Sequence, residues 1–477
     1  MDNGSPGKIV VLIIAATFFM ENIDSSILNI AVPTIANSLH VHPLQLKLAI
    51  TVYLLSLGIF IPVSGWIADR FGTKRVYAIA VAVFAFSSLS AGLSLNLPML
   101  VISRFIQGVG GAMMVPVGRL ILLYECSEEN FLKAMVWIIV PALMGPVLGP
   151  VIGGLILSVA NWRWVFFVNL PIAAAAFCFI LKYINNFKKE DIHPFDWWGF
   201  TFLGCGVAAL SFGFSALGQH TGGVINDILL ALAGIVLIFS YIVYQRRKAH
   251  PVINREIFEN RNFTIGLSLG FFMRLGINST PFILSLLMQI GFGFTPLKTS
   301  GYLVWIFVGM IFIKPLSRVI LNYFRLKHVL IVNGLFVSGF ILSFAWFNAS
   351  TPFWLVAIVF VAFGLFLSMQ FTCFGTVNFS GIKEGLKSQV SSFASGSQQI
   401  ANSFAVALAA LLLSFFSGDL IHYKGISLEA FHHTFIISAI IVFIGSLGFM
   451  LIGKETGLTM TAYKKHKRVK RTRPRKF

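Results

Sequence analysis

The chain has 477 residues, of which 57% are hydrophobic and only 11% charged, against about 25% charged residues in an average soluble domain. That excludes a soluble globular protein, and apolar stretches of about 20 residues or more exclude a transmembrane barrel with its short alternating segments. The net charge of +19 does not signal nucleic acid, because nine Lys and Arg gather in Lys464 to Phe477 and the rest fall in alternate loops, where the positive-inside rule puts them.

Fourteen apolar segments follow one another. Segment 9–37 stands behind Lys8; it is long, holds Glu21 and Asp24 and has no small-residue cleavage site, so it reads as a retained helix and not a signal peptide. Segments 46–68 and 76–96 flank a compact charged run from Gly65 to Arg75, and segments 98–122, 133–158 and 163–185 complete a first group of six. Segments 197–217 and 226–244 come next, followed by 262–291, 298–320, 328–347, 352–377, 388–416 and 432–452 and then the basic tail.

An even number of spans places both termini on one side. The loops with Arg70/Lys74/Arg75, Lys182/Lys188/Lys189, Arg246/Arg247/Lys248, Arg318/Arg325/Lys327 and Lys383/Lys387 share that side, which is therefore read as cytoplasmic. The tail is expected to set topology or to touch anionic lipid. Cys126, Cys178, Cys205 and Cys373 are too widely spaced for a metal site or a disulfide framework. His40/His42 and His422/His432/His433 cluster in outer loops without pointing to a bound metal.

The two halves repeat at a shift of 253 residues. Phe18-Phe19-Met20 recurs as Phe271-Phe272-Met273; Pro62, Ser64, Ile67, Phe71, Lys74 and Val76 match Pro315, Ser317, Ile320, Phe324, Lys327 and Val329; Gly111 matches Gly364. One shift serving three separated blocks pairs segments 1–6 with 9–14 and leaves segments 7 and 8 as an inserted hairpin. The expected units are a six-helix bundle at 1–190, the hairpin with its linkers at 191–260, a second bundle at 261–453 and the tail at 454–477. A repeat of this kind suits a site between bundles that opens alternately to each side.

Polar groups inside the spans mark the candidate site. Glu21 and Asp24 project from nearly one face of the first helix, with Asn29 further on, and an ionisable residue at that depth ordinarily faces a cavity or a partner. Either they carry protons or they are fixed in ion pairs. Arg104 and Gln107 share a face of the fourth helix with Gly108 and Gly111, so Arg104 either tunes Asp24 or bridges helices 1 and 4 statically. Glu21 and Arg274 fall at equivalent repeat positions, which suggests a contact across the cavity; Arg274 attracting an anionic substrate is the other reading. Asn29, Gln107, Gln289, Gln370, Gln398 and Asn402 are, with Arg274, candidates for lining a substrate route, with hydrogen bonding between helices as the competing explanation.

Several motifs carry a family resemblance. Gly65, Asp69, Arg70, Gly72, Lys74 and Arg75 resemble the loop between helices 2 and 3 that is the signature of the major facilitator superfamily. Arg104-Phe105-Ile106-Gln107-Gly108-Val109-Gly110-Gly111 is similar to its helix-4 motif. Gly145, Pro146, Gly149, Pro150, Gly153 and Gly154 resemble the helix-5 motif associated with antiporters. Asp24 to Pro33 and Trp162 to Pro171 are similar to patterns of the fourteen-helix drug/proton antiporters, the EmrB/QacA-like group, and Gln107 to Leu120 looks especially like MdtD-type members.

The resemblance implies an all-α polytopic membrane protein of two six-helix bundles plus two inserted helices. It also implies proton coupling through Asp24, and a cytoplasmic gate in which Asp69 and Arg70 join helix ends and help latch the outward-facing state. The expected function is a proton-coupled antiporter that exports a small organic molecule or drug from the cytoplasm of a bacterium. Its expected partners are that substrate, protons and membrane lipid, with no cofactor and no nucleic acid. A dedicated metabolite or siderophore exporter is the runner-up, and a membrane sensor or scaffold ranks behind both. No nucleotide-binding loop or catalytic constellation is present to suggest an enzyme.

Overall fold

The computed structural model describes residues 8–125, 128–189, 192–216, 223–248, 251–383, 386–417 and 426–453. The basic tail, Glu384 and His422 lie outside the described residues. What is described is helical throughout its ordered elements. The first bundle comprises α1 (Lys8–Ser38), α2 (Lys47–Phe71), α3 (Thr73–Gly92), α4 (Leu97–Glu125), α5 (Glu128–Val159) and α6 (Trp164–Tyr183). The inserted pair is α7 (Trp197–Ala216) and α8 (Val224–Tyr244). The second bundle comprises α9 (Arg261–Leu286), α10 (Pro296–Tyr323), α11 (Leu326–Ser343), α12 (Phe353–Phe379), α13 (Lys387–Ser417) and α14 (Leu428–Gly448).

Thirteen of these helices are long and apolar enough to cross a membrane, and α5, with 32 residues, completes the fourteen. Helices are what such segments must form, since hydrocarbon offers no partner to an unbonded N–H or C=O. Local chemistry sets several starts. The side chains of Asn260, Thr295 and Ser427 accept from the free N–H groups of Phe263, Lys298 and Ala430 at the heads of α9, α10 and α14, and Pro296 occupies the first position of α10. Gly72 turns α2 into α3 at a φ of 94°, a conformation open to glycine and strained for other residues.

The bundles meet along two seams, α2 with α13 and α5 with α10, and the repeat exchanges one seam for the other. The inserted pair packs chiefly on itself and lays α7 over the α2–α13 seam. Lys47, wholly buried at the head of α2, donates to the carbonyl of Ser215 in α7 at 2.9 Å. Behind α8, Ile253 and Ile257 join Tyr241, Phe263 and Val390 in a small core of their own.

The seams are closed at one end and open at the other. Near the loop 39–46, Ser285 donates to the carbonyl of Asn29 (2.7 Å), Gln289 to Ile30 (3.1 Å), Ser300 to Pro150 (2.6 Å) and Ser403 to Thr51 (2.9 Å). Halfway along α2, a Cβ on Gly58 would stand 2.5 Å from Ile400 of α13. Two turns further on, on the same helix face, a Cβ on Gly65 would meet nothing within 4 Å. The tight approach seen at Gly58 therefore does not extend to Gly65. With the interbundle hydrogen bonds named above gathered near the loop 39–46 and no neighbour at Gly65, we infer that the cleft between the bundles opens at the end that carries Asp69.

Candidate functional site

Asp24 is the centre of a sealed polar cluster in the first bundle. Arg104 of α4 donates through Nη1 to its Oδ2 at 2.5 Å, and Gln107 and Asn169 donate to its Oδ1 at 2.9 and 2.8 Å. Both amides also reach Ser88 Oγ of α3, at 3.4 and 3.2 Å. Arg104 is further held by the carbonyl of Ala49 and by the face of Tyr53, 3.9 Å from the ring centroid. Asp24 and Arg104 are each only 1% exposed. Helices α4 and α6 thus deliver three donors to one carboxylate, and α2 and α3 hold those donors in place, the condition under which an ion pair is tolerated in a low-dielectric interior.

Glu21, one turn earlier on α1, is the opposite case. Its Oε2 is buried and has no hydrogen-bond partner, and neither has the hydroxyl of Tyr53. Both flank Gly111, whose missing side chain leaves the gap: a Cβ there would lie 3.6 Å from Tyr53 Oη and 3.8 Å from Glu21 Cγ. The cation whose charge acts on Glu21 is Arg119, further along the same face of α4 and exposed.

The suggested Glu21–Arg274 pair is not formed among the described residues. Arg274 stays in the second bundle, where Nη2 meets Gln398 Oε1 at 3.5 Å and the guanidinium stands 4.7 Å from the Phe374 ring centroid. Asn402 accepts from Asn278 of α9 and donates to Gln399 at 2.9 Å. The other amides are distributed differently from a single lining. Gln107 belongs to the Asp24 cluster, and Gln370 is wholly buried within the second bundle, accepting from Asn333 at 2.7 Å. Gln289 and the Asn29 carbonyl belong to the closed end of the seam.

The helix-5 glycines act through α1. A Cβ on Gly145 would come to 2.5 Å from Asn22 Cβ, one on Gly149 would overlap Ser26 Oγ, and one on Gly153 would crowd Ile27 at 2.8 Å. Spaced one turn apart, they let α1 and α5 approach to backbone contact, as small residues do between membrane helices. Gly154 faces Ser300 of α10 instead, across the second seam, beside the Pro150 carbonyl. Pro146 lies within α5.

At the open end, the charged loop is fastened to its own bundle. Asp69 takes Lys189 Nζ at 2.8 Å and the Tyr124 hydroxyl at 3.4 Å, and this bond to Asp69 holds the Lys189 ammonium above the ordinary lysine range. Thr73 donates its N–H to the Phe187 carbonyl, and Lys74 donates its own to Asn186 Oδ1. Arg70 and Arg75 are exposed.

This arrangement of two helical bundles around a cleft agrees with the comparisons. The sequence pattern of the Major Facilitator Superfamily matches residues 14–406. The chain belongs to that superfamily. It is a membrane transporter. Among its relatives in the superfamily is MdtD of Pectobacterium atrosepticum, named for a suggested part in multidrug resistance, with 32% identity over 93% of this chain and 95% of that one. Another is HsrA of Haemophilus influenzae, named as a transport protein, with 30% identity over 93% and 95%. The crystal structure of a D-xylose-proton symporter superposes with a TM-score of 0.68 at 14% identity, covering 94% of this chain and 99% of that one. It shares the major facilitator fold.

Within that fold, sequence reasoning missed Tyr53, Ser88, Asn169 and Arg119 as site residues. Asn169 stands in the motif Trp162 to Pro171, which was the available signal. In the structure Asn169 lies within α6, which stays helical through Val168 (φ −59°, ψ −24°). From there its buried amide reaches Asp24. Tyr53 and Ser88 lie in apolar runs with no motif around them.

Proposed function

We propose that this major facilitator protein is a proton-coupled antiporter that moves a small organic molecule out of the cytoplasm by alternating access. In this reading it sits in the inner membrane of a bacterium with both termini cytoplasmic, and the cleft faces the cytoplasm. The support for that orientation is the gathering of Lys and Arg in the loops at the open end. The two bundles run over 1–190 and 261–453 with the hairpin at 191–260.

The observation that carries the proposal is the contrast between two carboxylates one turn apart. Asp24 has every oxygen occupied by a donor, whereas Glu21 Oε2 has none. Glu21 is then the group that gains and loses the proton. Asp24 with Arg104 is the brace between α1 and α4 that carries the change to the helices. Substrate entering from the cytoplasm meets Glu21 after its proton has left, with Arg119 as the nearby counter-charge. Once the cleft opens outward, substrate departs and a proton returns. The Asp69 loop and its anchor Lys189 form the moving lip of the gate.

The test is proton release. Purified protein in weakly buffered detergent solution is expected to release protons when a transported compound is added, and Glu21→Gln is expected to bind the compound without release. Screening for that compound compares metabolites retained by cells with and without the gene, alongside a drug panel. Transport that ignores an imposed proton gradient would sink the coupling.

A further inference from the structure

The second bundle holds a cation without an anion. Arg274 stands near the middle of α9, 8% exposed, and its Nε is buried with no partner. Its one hydrogen bond, to Gln398, lies at the 3.5 Å limit. No described carboxylate pairs with it. The sequence explains why: between Asn262 and Gly418 the only acidic residue is Glu384, in the segment between α12 and α13. An isolated guanidinium at this depth is expensive, and no described carboxylate neutralises it.

The surroundings are those of a subsite. Phe374 and Phe371 present ring centroids 4.7 and 5.9 Å from the guanidinium carbon, which relieves part of the cost. Gly270, one turn before, leaves the room Nη1 occupies; a Cβ there would be 3.1 Å away. Gln398 is exposed on α13. A second cation, Lys314 of α10, reaches Thr372, the neighbour of Phe371, at 3.4 Å.

We propose that this wall of the cleft binds the charged head of an organic anion, a carboxylate or similar oxyanion, whose aromatic or other apolar body lies against Phe371 and Phe374. The guanidinium fork, with Nε free, presents paired donors to such a head, and the phenylalanines supply the area that holds the body. The inference rests on the transporter reading of the cleft and names the substrate class for it. It assigns the two unpartnered charges different tasks: Glu21 keeps the proton and Arg274 keeps the cargo.

The experiment measures binding in purified protein, apart from transport. Paired carboxylates, primary amides and ammonium compounds on naphthyl and hexyl frames are titrated by calorimetry, with inorganic phosphate as a further probe. The naphthyl carboxylate is expected to bind about tenfold or more tightly than its amide and its ammonium partner, as fits hydrogen bonds to a charged group. Arg274→Gln should abolish that preference, and Arg274→Lys should keep part of it. Carboxylates that bind no better than their partners would overturn the proposal, and so would a preference that survives Arg274→Gln. Phosphate binding equal to that of the naphthyl carboxylate would overturn the role of the phenylalanines. Because the readout is binding, an exporter of cations that releases protons would defeat the anion site and leave the antiporter reading standing. Anion binding without proton exchange would do the reverse.

Discussion

The two bundles share a frame and differ in what they place at its equivalent points. At the shift of 253 residues, Asp24, Tyr53, Arg104 and Gln107 of the first bundle correspond to Ile277, Ile306, Ala357 and Phe360 of the second. A saturated ionic cluster faces an apolar counterpart. The packing glycines Gly111 and Gly364 are kept in both, since helix approach depends on small residues wherever the fold repeats. Glu21 and Arg274 occupy one repeat position with opposite charge, and each has an atom without a partner. The repeat thus preserves the scaffold, while the charge chemistry is divided between the halves.

The first way to break this comparison is to copy the second bundle into the first. Arg104→Ala leaves Asp24 buried without its cation and should cost about 3–5 kcal/mol, read as a lowered unfolding temperature. Replacing both partners at once, as Asp24→Ile with Arg104→Ala, should recover part of that loss while transport stays dead. A double variant less stable than the single one would mean that the ion pair itself contributes net stability, which the apolar counterpart must then match by packing.

The matched glycines sharpen the scaffold side. A Cβ on Gly364 would overlap the carbonyl of Ile306 and stand 3.1 Å from the backbone nitrogen of Met310, whereas one on Gly111 would press Leu57 Cδ2 at 3.1 Å, the end of a side chain that can move. Gly364→Ala should therefore cost about 1–3 kcal/mol and Gly111→Ala less, in parallel thermal melts. Equal costs would mean that the bundles yield alike.

The open-end loop should weigh least on stability among the ion pairs. Asp69→Asn removes an exposed pair with Lys189, so its stability cost should fall in the range of about 0–1 kcal/mol. Because the Asp69 bond raises the Lys189 pKa, the pair is complete below the ordinary lysine value and fades only as pH rises through the raised one. Its contribution should be flat across neutral pH, as melts at several pH values would reveal. Glu21→Gln should not lower stability, since it replaces a buried carboxyl whose Oε2 has no partner, while removing substrate-induced proton release. A variant that still releases protons would transfer the role to Asp24.

Much of this was legible in the residues. Fourteen apolar runs, the alternation of basic loops and one repeat shift specify the helices and their grouping, because hydrocarbon admits little else. The Asp24–Arg104 pairing was within reach, since helical spacing and the resemblance put both residues at compatible depths. The partners from α2 and α3 were not, as Tyr53 and Ser88 are separated from Asp24 by tens of residues and look like ordinary members of apolar helices, and Asn169 of α6 was signalled only by its motif. Gln107 and Gln370, read as cavity lining, proved to be internal bonds of their bundles, an outcome that helix spacing alone does not decide.

By itself the sequence determined the class of the protein: its spans, its repeat, its superfamily and the scarcity of acid in the second half. Those properties follow from composition and order along one chain. The tertiary structure decided which charges are satisfied. Whether Asp24 is sealed by donors from α4 and α6 depends on packing within the first bundle, and whether Glu21 reaches Arg274 or Gly65 touches a partner depends on how the bundles are set against each other. Charge satisfaction acts over a few ångströms, and only the packed helices bring distant residues within that range.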